Sequence, residues 1–444
     1  MGRDLKKSID ERRYAPGLDP GSRSSGVPRG HAPLVAGRGT CPAREGGQGG
    51  RVSRRPLEGN AERSPQVDAL GPRLVGWRRE LHRHPELAHG EKWTSDFLRA
   101  HFKRLGIPVK KSVGTGLRAV LKGLSGGRMV ALRTDIDALP LQEEGDKPYK
   151  SLNPGATHAC AHDGHMAALM GAAEILAARR KAFRGTVVFL CQPAEELPPG
   201  GAKRMIEEGA LAGVDAVFGL HLWQGMPTGT VGAVPGPMMA QSDNFRITVR
   251  GKGGHGSMPH TTVDPIVAAA EIVTALQSVV SRSVDPLLPA VLSFGTIHGG
   301  TVYNIIPNEV KLTGTVRTFD LGVQALIKRR MAEIIDGTCR AMGAEADFEY
   351  EEGYPPLVND PGSVDFALRV AREAFGPESV IPIGPVMGGE DFAYYLQEVP
   401  GAFLFFGAGD GTKFPHHHPG FDFDERALAP AAYLLASIAL EYLK

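Results

Sequence analysis

Hydrophobic positions are unevenly spread along the chain, and their spacing divides it into regions of different character. From Met1 to about Pro65, Gly, Arg, Pro and Ser dominate, and no apolar period of 3.6 or 2 residues is sustained. Such a segment buries too little surface to offset its chain entropy, so residues 1–66 are expected to form a disordered extension. Past Gln66 the pattern changes to alternating helix and strand: helices over Val67–Leu81 and Trp93–Leu105, then a strand over Met129–Arg133. A long helix follows at about Gly164–Lys181, and the apolar runs Thr186–Cys191 and Ala216–Leu222 read as buried strands.

Residues 242–355 have an order of their own: strand Phe245–Arg250, helix Pro265–Val284, strands Ala290–His298 and Glu309–Thr318, helix Val323–Met342 and strand Ala346–Glu351. This βαββαβ order, that of a ferredoxin-like unit, is self-sufficient as two packed layers. After Pro356 the alternation resumes with a helix at Ser363–Phe375, a strand at Ala402–Gly407 and a closing helix from Glu425 to Leu443. The expected fold is therefore α/β: a catalytic domain with a central mixed sheet, formed by 67–241 and 356–444, interrupted by a smaller inserted domain at 242–355.

Composition narrows the function. The 444 residues carry a net charge of +1, with 22% charged and 42% hydrophobic residues, which gives neither nucleic acid nor an anionic membrane a reason to bind. No stretch approaches the ~20 uninterrupted apolar residues that cross a bilayer, and no apolar secretory segment opens the sequence. The four cysteines are too few and too scattered for a disulfide framework, which favours a reducing, cytoplasmic setting. These features suit an enzyme acting on small molecules.

Groups suited to metal binding fall at the ends of expected strands, where open α/β sheets place their sites. His158-Ala-Cys-Ala-His-Asp-Gly-His165 precedes the long helix, whose N-terminus would favour a Cys160 thiolate beside the His162 imidazole. Taken alone, the same residues fit a small buried cysteine flanked by surface histidines. Glu195 and Glu196 directly follow a strand of wholly apolar character, as one metal ligand and one proton carrier would. His221 ends another apolar run, and His416-His417-His418 lie before Pro419 near the C-terminus. Cys160, His162, Glu196, His221 and one of those three histidines are enough for two adjacent metals, with Glu195 left free. In the inserted region, His255 sits in a Gly-rich loop that lacks a phosphate-binding pattern and suits closure over a substrate and its oxyanion. Asn304 and Arg317 are suited to a substrate carboxylate and equally to structural roles on a strand face.

Ten segments in order carry a resemblance: RRELHRHPEL (78–87), ALRTDIDALP (131–140), HACAHDGH (158–165), QPAEE (192–196), GLHLW (219–223), GKGGHGSMPH (251–260), YNIIPN (303–308), GTVRTFD (314–320), GGEDF (388–392) and HHHPGFDFDE (416–425). Over Val67–Lys444 the chain resembles the dinuclear metal-dependent amidohydrolases that include hippurate hydrolase, plant indole-acetyl-amino-acid hydrolases and bacterial N-acyl-amino-acid deacylases. The resemblance implies metal ligands at Cys160, His162, Glu196, His221 and His417, a general base at Glu195, a supporting carboxylate at Asp135 and a lid histidine at His255. It further implies two divalent ions per subunit (zinc, manganese, nickel or cobalt) and hydrolysis of an N-acyl amino acid, with a peptidase acting through the same metals as the alternative. The inserted domain would pair subunits into a homodimer or homotetramer. The family commonly has Gly where this chain has Ala161, a difference that matters if the position needs φ > 0.

Overall fold

The computed structural model describes residues 65–444, so the expected N-terminal extension lies outside the described residues. The large sheet has seven strands, in spatial order Val109–Ser112, Gly116–Lys122, Arg184–Gln192, Leu124–Asp135, Ala216–Pro227, Gly401–Gly409 and Val231–Gly232. Its four inner strands run parallel, while antiparallel neighbours close both edges. Helices cover the inner strands on both faces, so a run such as Val187–Cys191 is apolar throughout instead of alternating. The outer pair at residues 109–122 was not expected from the pattern, because lysines and glycines break up its apolar positions.

Helix His162–Ala178 is buried on nearly every side, between the sheet and the helices Pro65–Arg83 and Leu428–Tyr442. Gly171 permits that approach: a Cβ there would lie 2.7 Å from Leu74 Cδ2 and 2.9 Å from Ala432 Cβ. The expected start at Gly164 is two residues late, since the helix begins on His162 itself.

The intervening region builds a four-stranded antiparallel sheet, in order Ala290–Gly299, Glu309–Thr318, Gln241–Arg250, Glu345–Tyr354. Helices Pro265–Ser278 and Leu321–Met342 cover one face, giving the order βαββαβ. The second helix is started by Asp320, whose carboxylate accepts the Val323 N–H, and stopped by Gly343 at φ +70°. Its stripe Val323, Ile327, Met331, Ile335 and Cys339 faces the sheet. Among the described residues, the helical stretch Pro265–Ser283 is long and apolar enough to cross a bilayer. It instead lays Ala268, Ala269, Ile272, Leu276 and Val279 on the sheet.

Candidate active site

The C-terminal ends of the parallel strands and the loops beyond them meet in a cleft of about 440 Å³, lined by Cys160, Glu195, Glu196, His221, Glu390 and His417 and, from the inserted sheet, Ser242, Asn244, Arg317 and Tyr354. Metal-binding atoms of Cys160, His162 and His221 lie within 4.8 Å of one another, as do those of Cys160, Glu196 and His417, and those of His162, Glu195 and Glu196. His162 Nε2 is 3.8 Å from Glu196 Oε1 and 3.9 Å from Glu195 Oε2, and His417 Nε2 is 3.5 Å from Glu196 Oε1.

Hydrogen bonds at the far side of each ring decide which nitrogen faces the cluster. His162 Nδ1 donates to the Asp137 carbonyl (2.9 Å), and His221 Nδ1 donates to the Leu222 carbonyl (3.1 Å). Both Nε2 atoms therefore face inward, with the Cys160 thiol 3.4 Å from that of His221. His162 Nε2 and Glu196 Oε1 are buried without any hydrogen-bond partner, a state that costs free energy unless a cation completes it. By contrast His165 is fully engaged: Nδ1 donates to Asp135 (2.8 Å) and Nε2 accepts from the Leu222 N–H (2.9 Å). His416 Nε2 donates to the Leu222 carbonyl (3.0 Å), and His418 Nδ1 accepts from the Gly420 N–H (2.9 Å). Of the three consecutive histidines, only His417 places its ring nitrogen among the carboxylate and thiol of the cluster.

The electrostatics favour positive charge. Burial works against a charged His162, yet Asp135, Asp137 and Glu196 overcome it and raise that imidazole to about 10. His221, buried and close to His165 and His416, is held well below its usual value and is neutral. Burial first, then Glu196, Glu195 and Asp135, raises the Cys160 thiol well above the ordinary range. The thiolate expected from the helix N-terminus is therefore overruled by burial and, after it, by three carboxylates, and a bound cation would favour its deprotonation. Burial together with Glu390 and Glu196 raises Glu195 in the same way.

Several residues of the site went unremarked in the sequence. Arg133, 2% exposed, binds Asp135 (2.8 Å), Asp391 (2.9 Å), Glu390 (3.0 Å) and Gln192 (2.9 Å). Burial, opposed by Arg133 and reinforced by Asp391, pushes Glu390 up to about 8. Asp135 thus sits behind the cluster, tied to His165 and Arg133, with Oδ2 3.7 Å from His162 Nε2. Arg78, fully buried, joins Asp163 at the start of the His162 helix to Asp422 and Glu425 in the segment that follows the three histidines. Both arginines lie within segments that carried the resemblance, but a charged residue read from sequence is assigned to the surface by default.

Of five non-glycine residues with positive φ among the described residues, three lie at the same place: Ala161 (67°), Ala194 (58°) and His417 (63°), each within one residue of a cluster member or itself one, while His89 and Val113 lie outside the cluster. L-residues resist that conformation, so it persists only where surroundings over-determine it. Of the inserted region's expected residues, Arg317 lines the cleft and donates to Ser242 Oγ. His255 and Asn304 do not line it. They occupy an exposed arm in which Gly254–His255 pairs with Ile305–Ile306, and His255 Nδ1 accepts from the Ser257 N–H.

Residues 131–441 match the peptidase family M20/M25/M40. The chain is 45% identical over 317 residues to an N-acyl-L-amino acid amidohydrolase of Geobacillus stearothermophilus, covering 70% of this chain and 86% of the relative. It is 39% identical over 376 residues to thermostable carboxypeptidase 2 of Saccharolobus solfataricus, covering 83% and 95%. The crystal structure of a Bacillus subtilis protein, described as a dinuclear metal binding peptidase of the M20 family, superposes with a TM-score of 0.72 at 37% identity, covering 84% of this chain and 99% of the other.

Proposed function

The chain belongs to peptidase family M20/M25/M40, and from that membership we propose that it hydrolyses the amide of N-acyl amino acids to a carboxylic acid and a free amino acid. The observation that carries this reading is the pair of buried, unpartnered atoms His162 Nε2 and Glu196 Oε1 beside a free acid, Glu195. Cys160, His162, Glu196, His221 and His417 would hold two divalent ions of the zinc, manganese, nickel or cobalt type, softer ones suiting the thiolate. When bound, such ions polarise the acyl carbonyl and make water acidic enough to attack at neutral pH.

The remaining chemistry belongs to the chain's own groups. Glu195 takes the proton of the attacking water and returns it to the leaving nitrogen, and burial beside Glu390 and Glu196 strengthens it as a base. Asp135 and Asp137 hold the site's imidazoles in place from behind. Arg317, on the cleft wall, would bind the amino acid's carboxylate. His255, with Asn304 on the same arm, would reach the substrate by closure of the inserted unit.

The carboxypeptidase relative supports a second reading, hydrolysis of peptide bonds through the same groups. Assays of hippurate, N-acetyl amino acids and dipeptides, on metal-analysed protein with and without chelator, separate the two. Turnover of N-acyl amino acids above dipeptides, abolished by chelator and restored by metal, is expected. Chelator-insensitive turnover would refute both.

We further propose that the protein is cytoplasmic and pairs through its inserted unit as a homodimer or homotetramer. Supporting this, strand Ala290–Gly299 lies at a sheet edge with its outer residues exposed, near exposed Val302, Tyr303 and Ile305. Light scattering reads the assembly directly, and a monomer would refute it.

A further inference from the structure

Residues 193–196 leave the sheet after Gln192, so their backbone groups have no ladder partners. Three consecutive amides are nevertheless all satisfied by buried carboxylates. Ala194 N–H donates to Glu91 Oε1, Glu195 N–H to Asp137 Oδ1 and Glu196 N–H to Asp137 Oδ2, each at 2.9 Å. The Glu195 carbonyl accepts from the Tyr354 hydroxyl at 2.6 Å, at the end of the last strand of the inserted sheet. Glu91 is itself held by Thr115 Oγ1 at 2.7 Å, and neither Glu91 nor Asp137 is exposed. Ala194 is at φ +58°, so the backbone is bent here into a conformation it would not keep without these ties.

We propose that Asp137, aided by Glu91 and Tyr354, is a positioning residue that grips the 194–196 backbone and so aims Glu195 and Glu196 at the reacting atoms and the metals. This deepens the function proposed above and rests on it. Asp137 also accepts His162 Nδ1–H on its carbonyl (2.9 Å), so one residue fixes an imidazole ligand, a carboxylate ligand and the proton carrier relative to one another. Replacing its carboxylate with an amide keeps the shape but turns one acceptor into a donor that meets an N–H head on. Tyr354 adds a tie from the inserted unit to the same peptide.

The test measures zinc affinity of purified protein by competition with a chromophoric chelator, together with kcat and KM. Asp137→Asn is expected to weaken zinc binding ~10–100-fold, the range for partners of metal ligands. The same variant should lower kcat while KM moves less than about twofold, because aim and not ground-state binding is lost. Zinc affinity and kcat both equal to wild type would overturn the clamp. Tyr354→Phe deletes a single hydroxyl and carries the test should Asp137→Asn not fold: lower kcat at unchanged KM supports the clamp, and unchanged kcat overturns it. Wild-type protein is measured first. Failure there to bind any of zinc, manganese, nickel or cobalt, or to cleave amides, refutes the proposed function, whereas an active wild type with indifferent variants refutes the clamp alone.

Discussion

The catalytic unit and the inserted unit treat charge in opposite ways. In the catalytic unit, Arg78 and Arg133 are buried and each engages three carboxylates. In the inserted unit the ion pairs Arg246–Glu349, Arg250–Asp347, Lys328–Glu352 and Arg340–Asp336 all lie in solvent. Its histidines, His255, His260 and His298, are exposed as well, whereas His101, His158, His162, His165 and His221 are buried in the catalytic unit. Exposed pairs contribute little, and buried ones carry a desolvation cost that only complete pairing offsets. In the catalytic unit the arginines offset part of that cost: Arg78, against burial, holds Asp163 below its ordinary range, and Arg133 opposes the burial that raises Glu390.

This contrast can be broken at graded strength. Arg133→Met leaves Asp135, Glu390 and Asp391 as uncompensated buried acids and should cost about 3–5 kcal/mol in denaturant unfolding. A loss below about 1 kcal/mol would show that the network is not held by this arginine.

The next effect is pH-dependent. Burial, aided by Arg104, lowers His101 to about 4 in the folded protein, against an ordinary value near 6.5. Between those values the unfolded chain binds the proton and the folded chain does not, so stability present above pH ~6.5 is lost as pH falls through about 4. His101→Gln should flatten that part of the stability profile. An unchanged slope would assign the acid sensitivity elsewhere. Smaller still, Ala161→Gly removes left-handed strain at φ +67° but also a buried methyl, for a net gain under about 1 kcal/mol. Arg246→Met, on the inserted sheet, should leave the melting temperature where it was, and a clear drop would erase the distinction between the two units.

The sequence made the inner strands and amphipathic helices legible because their patterns follow from burial alone: Thr186–Cys191 lies within strand Arg184–Gln192, and Val323–Met342 within helix Leu321–Met342. Strand Glu345–Tyr354 is legible only as far as Glu351, since Glu352 and Gly353 break its alternation just before Tyr354, which ties it to the loop carrying Glu195 and Glu196. Residues that could touch a substrate or metal were legible through chemistry, as Glu195 and Glu196 were after an apolar strand. Those that act from behind, Glu91, Asp137, Arg133 and Glu390, were not. Their partners are backbone amides and distant charges that only the folded chain assembles, and their side chains are types that ordinarily face water.

The most direct measurement is metal content and turnover of wild type beside Glu195→Gln. Two equivalents of divalent ion in both proteins are expected, with kcat of the variant lowered by ~10²–10⁴, the span of a lost proton carrier. Protein without bound ions, or a variant that turns over at the wild-type rate, would contradict metal-assisted hydrolysis with Glu195 as its base.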